Sequence, residues 1–146
     1  MLLLMGFILS VLTAYGQEAQ MPEGALQSLE YTIRGTMAGY EYEAHVELLK
    51  NGKVKLCASR ESYMPPVEKT VDKSVLDSLR TIMETEKMYA YQSYYTPPYQ
   101  VLDGHSWSFF AVFEGGKYID SGGSNEWPEG EGLSKIQKYI ASLLEE

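Results

Sequence analysis

The first residues that could do chemistry surround a histidine in an alternating stretch of the chain. His45 stands two positions from Glu43 and two from Glu47, and the predicted pairing with the next strand places Cys57 opposite it. Imidazole, thiolate and carboxylate groups are the donors that bind zinc and related transition metals. No Cys-x-x-Cys spacing accompanies them, however, and neighbouring side chains on one flat sheet face converge poorly on a metal. We therefore predict a charged sheet surface here and no metal site.

The second histidine is flanked by hydroxyl groups. His105 follows Asp103 after one glycine and precedes Ser106 and Ser108, which are residue types of a serine hydrolase. The chain has no Gly-x-Ser-x-Gly turn to expose a nucleophile. The pattern favours a turn that leads into a strand, and we predict no catalytic residue. The alternative is a small secreted hydrolase or metal-dependent enzyme that uses His45 or His105.

An oxygen-rich segment lies between residues 120 and 126, and Glu129 and Glu131 follow it. Its spacing is not that of an EF-hand loop, and no Gly-Lys-Ser or Gly-Lys-Thr follows to bind a phosphate. The adjacent Gly122 and Gly123 instead favour a connection in which left-handed backbone is allowed. We expect no metal and no cofactor here.

A tyrosine-rich connection is the best candidate for a binding surface. Residues 89–99 carry five tyrosines, more than a connection of that length can bury. Pro97 and Pro98 stiffen it, and a rigid loop that presents aromatic rings suits stacking on sugars, peptides or a partner protein. The alternative is that two or three rings cover the edge of the sheet. The candidate ligand-binding residues are Tyr91, Tyr94, Tyr95, Tyr99 and Trp127.

These residues must be positioned by strands and helices. Strict alternation of apolar and polar residues predicts strands over 29–35, 40–48 and 54–58. A three-residue loop, Lys50-Asn51-Gly52, would pair Leu48 with Val54 and set Glu47 opposite Lys55. A shift of one residue would turn the apolar side chains of each strand away from those of the other.

The second half of the chain predicts two helices and two further strands. Asp72 is a good N-cap for a helix that ends near Lys87, and the last helix has apolar residues at helical spacing. Residues 107–113 are apolar on both faces, as in an interior strand buried on both sides, and 118–119 form a short last strand. The predicted order is β-β-β-α-β-β-α. We expect an α+β fold, an antiparallel sheet with both helices packed on one face.

The N-terminal sixteen residues carry no charged side chain, and the apolar run from Leu2 to Leu12 has the length of the apolar region of a signal peptide. Ala14 and Gly16 are small residues at the positions that signal peptidase requires. We predict a signal peptide over 1–16, a flexible lead-in over 17–27 and one domain over 28–146. An uncleaved anchor is the alternative. The expected location is the periplasm or the exterior, with no stable membrane insertion after cleavage.

The charge of the chain limits the class of partner, and its cysteine content limits how the fold can be stabilised. The chain of 146 residues has a formal net charge of −8 and a single cysteine, Cys57. An excess of acidic residues disfavours nucleic acid, whose phosphates require clustered Lys and Arg. One cysteine cannot form an internal disulfide, so apolar packing must stabilise the domain.

A series of turn and aromatic residues in the second half of the chain precedes the terminal amphipathic helix. The residues are Tyr94, Pro97, Leu102, Asp103, Gly104, Trp107, Gly116, Lys117, Ser121, Gly122, Asn125 and Pro128. Over roughly residues 28–145, this succession resembles an uncharacterised family of small exported bacterial α+β domains. The resemblance implies the fold and export, and it transfers no catalytic residue.

The combined pattern favours an exported binding or interaction module, with the tyrosine-rich loop as its contact surface and a protein or glycan as its partner. The first alternative is the enzyme that uses His45 or His105. The second is a structural or inhibitor protein of the cell envelope.

The export hypothesis predicts that the mature protein begins at Gln17, because Ala14 and Gly16 satisfy the small-residue rule before it. Intact-mass analysis of protein from the native host checks this. A species that retains Met1 in the membrane fraction would contradict it.

Overall fold

The computed structural model describes residues 19–35, 41–60, 64–102 and 104–145. The expectations for the signal segment 1–16, for Gln17 and for Asp103 lie outside these residues. The elements, in chain order, are β1 (Leu26–Gly35), β2 (Glu41–Leu48), β3 (Val54–Ala58), β4 (Val67–Val71), α1 (Ser74–Thr85), a 3₁₀ turn (Met88–Ala90), β5 (Tyr94–Tyr95), β6 (His105–Phe113), β7 (Tyr118–Ser124) and α2 (Gly132–Glu145).

Within the described residues, seven strands form one sheet in the order β4-β3-β2-β1-β6-β7-β5. Neighbouring strands are antiparallel except β5 and β7, which pair in parallel. The predicted α+β class is confirmed, and the sheet is larger than expected. Strand β4 is not among the predicted strands, because Val67–Val71 lacks the apolar alternation of a half-buried strand. An exposed edge strand does not require that alternation.

The predicted hairpin register of β2 and β3 is confirmed. Leu48 pairs with Val54, and Glu47 lies opposite Lys55. The Gly52 amide donates to the Leu49 carbonyl at 3.0 Å, which closes the three-residue loop. Gly52 has a φ of 81°, a left-handed conformation that glycine adopts without a steric penalty.

The core lies between one face of the sheet and the two helices of the described chain. Phe109, Leu29 and Leu56 from the sheet are 0% exposed, as are Leu79 of α1 and Ile136 of α2. The described residues include no helix with the length and hydropathy of a membrane span.

The N-cap of the first helix is Lys73, one residue after the predicted Asp72, and the side chain of Asp72 still binds the first helical residue. Asp72 Oδ2 accepts a hydrogen bond from the Ser74 amide at 3.0 Å, and this bond holds the pKa of Asp72 below its usual value. Further along α1, Arg80 donates to the carbonyls of Pro22 and Gly24 at 2.9 Å each. The lead-in expected over 17–27 is therefore held against α1 in part, and its last two residues belong to β1.

The C-terminus of α2 is satisfied by two cations from the β3–β4 region. Arg60 Nη2 donates to the Leu144 carbonyl at 3.1 Å, and Lys69 Nζ donates to the Leu143 carbonyl at 2.8 Å. Carbonyls in the last helical turn have no partner within the helix, and positive charge is favourable there. These bonds tie α2 to the sheet edge opposite β5.

The prediction that β6 is buried on both faces is wrong. Trp107 and Phe109 face the core, whereas Phe110 is 39% exposed and Val112 is half-buried. The helices cover one face only, so every second residue of β6 lies on the open face. There the Phe110 ring contacts Tyr118 of β7 with centroids 5.8 Å apart.

Two neighbouring phenylalanines of β6 test this one-sided burial. Phe109→Ala should lower the free energy of unfolding by about 3–5 kcal/mol, because it leaves a cavity in the core. Phe110→Ala should cost about 1 kcal/mol or less, because its ring is partly in water. Denaturant unfolding of both variants checks this, and equal losses would contradict the assigned faces.

Candidate functional site

Four aromatic rings form a continuous row at one end of the core, and we call Tyr91, Tyr95, Trp107 and Trp127 the aromatic row. The Trp107 and Trp127 rings stack with centroids 5.4 Å apart and planes 14° apart. Tyr95 lies 5.9 Å from Trp107, and Tyr91 meets Tyr95 edge-on at 6.4 Å. Trp107 is 3% exposed, whereas Trp127 is 41% exposed. The row therefore leads from the core to solvent.

Gly123 of β7 has no side chain, and this makes the aromatic row possible. The Trp107 indole donates from Nε1 to the Glu126 carbonyl at 2.8 Å. A Cβ on Gly123 would lie 2.5 Å from that Nε1 and 2.8 Å from that carbonyl oxygen, which is closer than real contacts allow. Gly123 thus opens the path by which Trp107 reaches the loop that carries Trp127.

The expected glycine-rich break at residues 120–125 is wrong, because β7 continues through Ser124. Gly122 and Gly123 serve close packing in an extended strand, and the left-handed residue is Asn125, with a φ of 58°. Asn125 Oδ1 accepts a hydrogen bond from the His105 amide at 2.9 Å, which ends the β6–β7 ladder. Alternate residues of a strand face opposite sides of the sheet, so the oxygens of this segment do not converge on a calcium ion.

The tyrosine-rich connection is tied to β7 rather than projecting from it. Ser121 Oγ donates to the Gln92 carbonyl at 2.6 Å, and the Gly122 amide donates to the Ser93 carbonyl at 3.1 Å. The Gln92 amide donates to Tyr95 Oη at 2.9 Å. These bonds fix the start of the connection and the ring of Tyr95.

Tyr91 anchors the row to the start of α2. A Cβ on Gly132 would lie 2.5 Å from the Tyr91 hydroxyl, so only glycine lets this hydroxyl approach the helix. Burial raises the pKa of Tyr91 to about 12, helped by the nearby Tyr95 and Glu86 and opposed by a backbone hydrogen bond with Leu133. Tyr91 is therefore a neutral ring packed between the 3₁₀ turn and α2.

Two cavities share the walls Tyr91, Trp127 and Pro128. The smaller has a volume of about 260 Å³ and is closed by Ile33 of the sheet and Leu133 of α2. The larger has a volume of about 480 Å³ and includes Tyr95 and the polar residues Glu86, Lys87, Gln92, Glu126 and Glu129. Apolar walls with a few polar groups are the usual form of ligand sites, and the smaller cavity has this form, whereas the lining of the larger cavity is mostly polar.

The structure separates the five predicted binding residues into three that lie together and two that lie apart from them. It brings Tyr91, Tyr95 and Trp127 together, with Tyr91 and Tyr95 half-buried. Tyr94 lies beside Gly122 and is 57% exposed, and Tyr99 is 70% exposed. Neither ring belongs to the aromatic row.

Sequence reasoning considered Glu126 and Glu129 only as metal ligands and did not connect them with Trp127, and it missed the exposed pair Phe110 and Tyr118. A signal for the first was present, because Glu126 and Glu129 flank Trp127-Pro128 directly in the sequence. No comparable signal existed for the second, since the apolar run of β6 has no polar alternation.

His45 lies on the open sheet face opposite Cys57, as predicted. Its Nδ1 is 3.5 Å from Glu30 Oε1 and its Nε2 is 3.7 Å from Glu43 Oε2, so each ring nitrogen faces a carboxylate. The described residues contain no group of three or more His, Cys, Asp or Glu arranged to hold a metal. The expected pair of Glu47 with Lys55 is replaced, since Lys55 Nζ binds Glu68 Oε1 of β4 at 2.9 Å.

The second histidine is not brought to the neighbouring hydroxyls. His105 begins β6, and strand alternation places Ser106 and Ser108 on the other side of the strand. Ser108 Oγ instead lies 2.7 Å from Thr32 Oγ1 on the open face. These residues do not form the nucleophile and base pair of a serine hydrolase.

No protein-family model matches the chain, and no curated protein matches its sequence. The aromatic row and its two cavities must therefore be interpreted from their own geometry.

The burial of Tyr91 predicts a change in stability at high pH. Because the pKa is raised from 10.0 to about 12 in the folded protein, its contribution is complete below pH 10 and is lost as the pH rises towards 12. Denaturant unfolding at pH 9.5 and 11.5, as approximate settings around this window, should show a larger loss for the wild type than for Tyr91→Phe. Tyr94→Phe, at an exposed ring, is the control and should follow the wild type. Parallel losses in wild type and Tyr91→Phe would contradict the assignment.

Proposed function

We propose that the chain is an exported interaction module that binds a partner through the exposed side of its aromatic row, centred on Trp127. The export part depends on the N-terminal sequence alone. The binding part is supported chiefly by Trp127, which is stacked flat on a buried tryptophan and yet 41% exposed, between two cavities.

A preorganised aromatic ring suits binding because little conformational entropy remains to be lost. Trp127 is held by its stack on Trp107, and Pro128 restricts the backbone beside it. Interfaces owe much of their affinity to a few rigid aromatic anchors that fill or line pockets. Trp127 has these properties, whereas neither Tyr94 nor Tyr99 lines either of these two cavities.

Site-specific photo-crosslinking tests the proposal. A benzophenone amino acid replaces Trp127 in one variant and Tyr118 in the other, since Tyr118 is a more accessible ring, 62% exposed, on the open sheet face. After irradiation in the native host, we expect a discrete adduct from position 127 that added wild-type protein competes away. Thermal unfolding of both variants checks that they remain folded.

The adduct also has to form at position 127 in preference to position 118. Adducts of equal abundance from both positions, from Tyr118 alone or from neither would overturn the proposed surface. An adduct from Tyr118 alone would move the contact region to the Phe110–Tyr118 side of the sheet.

A further inference from the structure

The larger cavity beside Trp127 carries an excess of acidic groups. Glu86, Glu126 and Glu129 line it, against one lining cation, Lys87. Glu86 is already paired with Lys135 of α2. Glu126 and Glu129 form no ion pair with any residue that the structure describes. With Glu86 paired, Glu126 and Glu129 stand against the single cation Lys87, so the lining keeps an excess of one negative charge.

The same cavity presents aromatic rings beside those carboxylates. Tyr91, Tyr95 and Trp127 form its apolar wall, and Trp127 lies between Glu126 and Glu129 along the chain. The face of an aromatic ring carries negative electrostatic potential and attracts a cation, with tryptophan the strongest of the three ring types. The exposed carboxylates and the aromatic rings that line this cavity therefore favour the same kind of group.

The charge of the whole chain acts in the same direction. A formal net charge of −8 raises the local concentration of cations and repels anionic partners. This contribution is general, however, whereas the carboxylates beside Trp127 are local. The two contributions can be separated by comparing variants that remove the same number of charges beside Trp127 and on another surface.

On the premise that the aromatic row is a contact surface, we propose that the larger cavity binds the cationic side chain of a lysine or arginine of a partner polypeptide. The ammonium or guanidinium group lies against the Trp127 ring and is balanced by Glu126 and Glu129. The aliphatic part of the side chain packs on Tyr91 and Tyr95.

The smaller cavity indicates why the ligand is a polypeptide segment. It adjoins the larger one at Tyr91, Trp127 and Pro128, and its far walls are Ile33 and Leu133. Those walls suit an apolar side chain. A basic residue next to an apolar one on a single chain would occupy both cavities together, which a neutral glycan would not.

Two matched peptides test the charge of the ligand. The probes are acetyl-Leu-Arg-Leu-amide and acetyl-Leu-Gln-Leu-amide, and a tetramer of N-acetylglucosamine is the glycan probe. The chain has two tryptophans, so its NMR spectrum contains two indole N–H signals, and Trp127→Phe assigns them. The arginine peptide should shift the Trp127 signal with a Kd about tenfold lower than that of the glutamine peptide.

Paired variants separate local from general charge. Glu126→Gln with Glu129→Gln should remove most of the preference for the arginine peptide. Glu41→Gln with Glu47→Gln changes the net charge equally at exposed positions of the open sheet face and should retain it. The preference should also weaken with added salt, which screens exposed charges. An unchanged Trp107 indole signal shows that each variant keeps the aromatic row.

Each remaining outcome overturns the proposed ligand. Equal affinity for the two peptides, no shift of the Trp127 signal by either, or a shift by the glycan alone would exclude a cationic side chain. Equal loss of preference in both double variants would show that only the general charge acts. These failures leave the crosslinking result at position 127 unaffected, so the proposed surface and the proposed ligand can fail separately.

Discussion

The end of the sheet that holds the candidate site depends on the buried indole of Trp107. Its ring stacks on Trp127 and contacts Tyr95, and its Nε1 donates to the Glu126 carbonyl at 2.8 Å. A buried indole N–H without a partner would cost free energy, so this bond fixes the position of the loop after β7. The absence of a side chain at Gly123 is the condition for it. The contact between Trp107 and Gly123 thereby connects the core and the last strand with the exposed ring of Trp127.

This arrangement gives neighbouring rings different roles. Tyr91, Tyr95 and Trp107 are held by packing and hydrogen bonds, and a change in any of them alters the fold as well as the surface. Trp127 uses one side for the stack and leaves the other to solvent. A binding ring supported in this way keeps its orientation without a ligand, which lowers the entropic cost of association. Among the described residues, the rings of Tyr94 and Tyr99 belong to no such stack, although their exposure is larger.

The two faces of the sheet are also chemically distinct because both helices lie on one of them. The covered face is apolar, whereas the open face carries His45 between two carboxylates and Lys55 paired with Glu68. Exposed ion pairs of this kind contribute little to stability. The local sequence could predict the β2–β3 register, since burial of alternating residues and the need for glycine at position 52 both select it. It could not predict that Phe110 is exposed, because a strand's own residues do not show how many faces are covered.

The sequence by itself determined the fold class, the helical segments, the hairpin register and the tyrosine-rich stretch as a region of interest. Each of these follows from local periodicity or turn chemistry, which acts over a few residues. Only the tertiary structure decided which aromatic rings meet. Tyr91 and Tyr95 share one connection, but Trp107 and Trp127 come from other segments of the chain, and Gly123, Gly132 and the β5–β7 pairing bring the four rings together. Glycine's role there is the close approach of other groups, and such contacts between distant segments leave no periodic signal in the sequence.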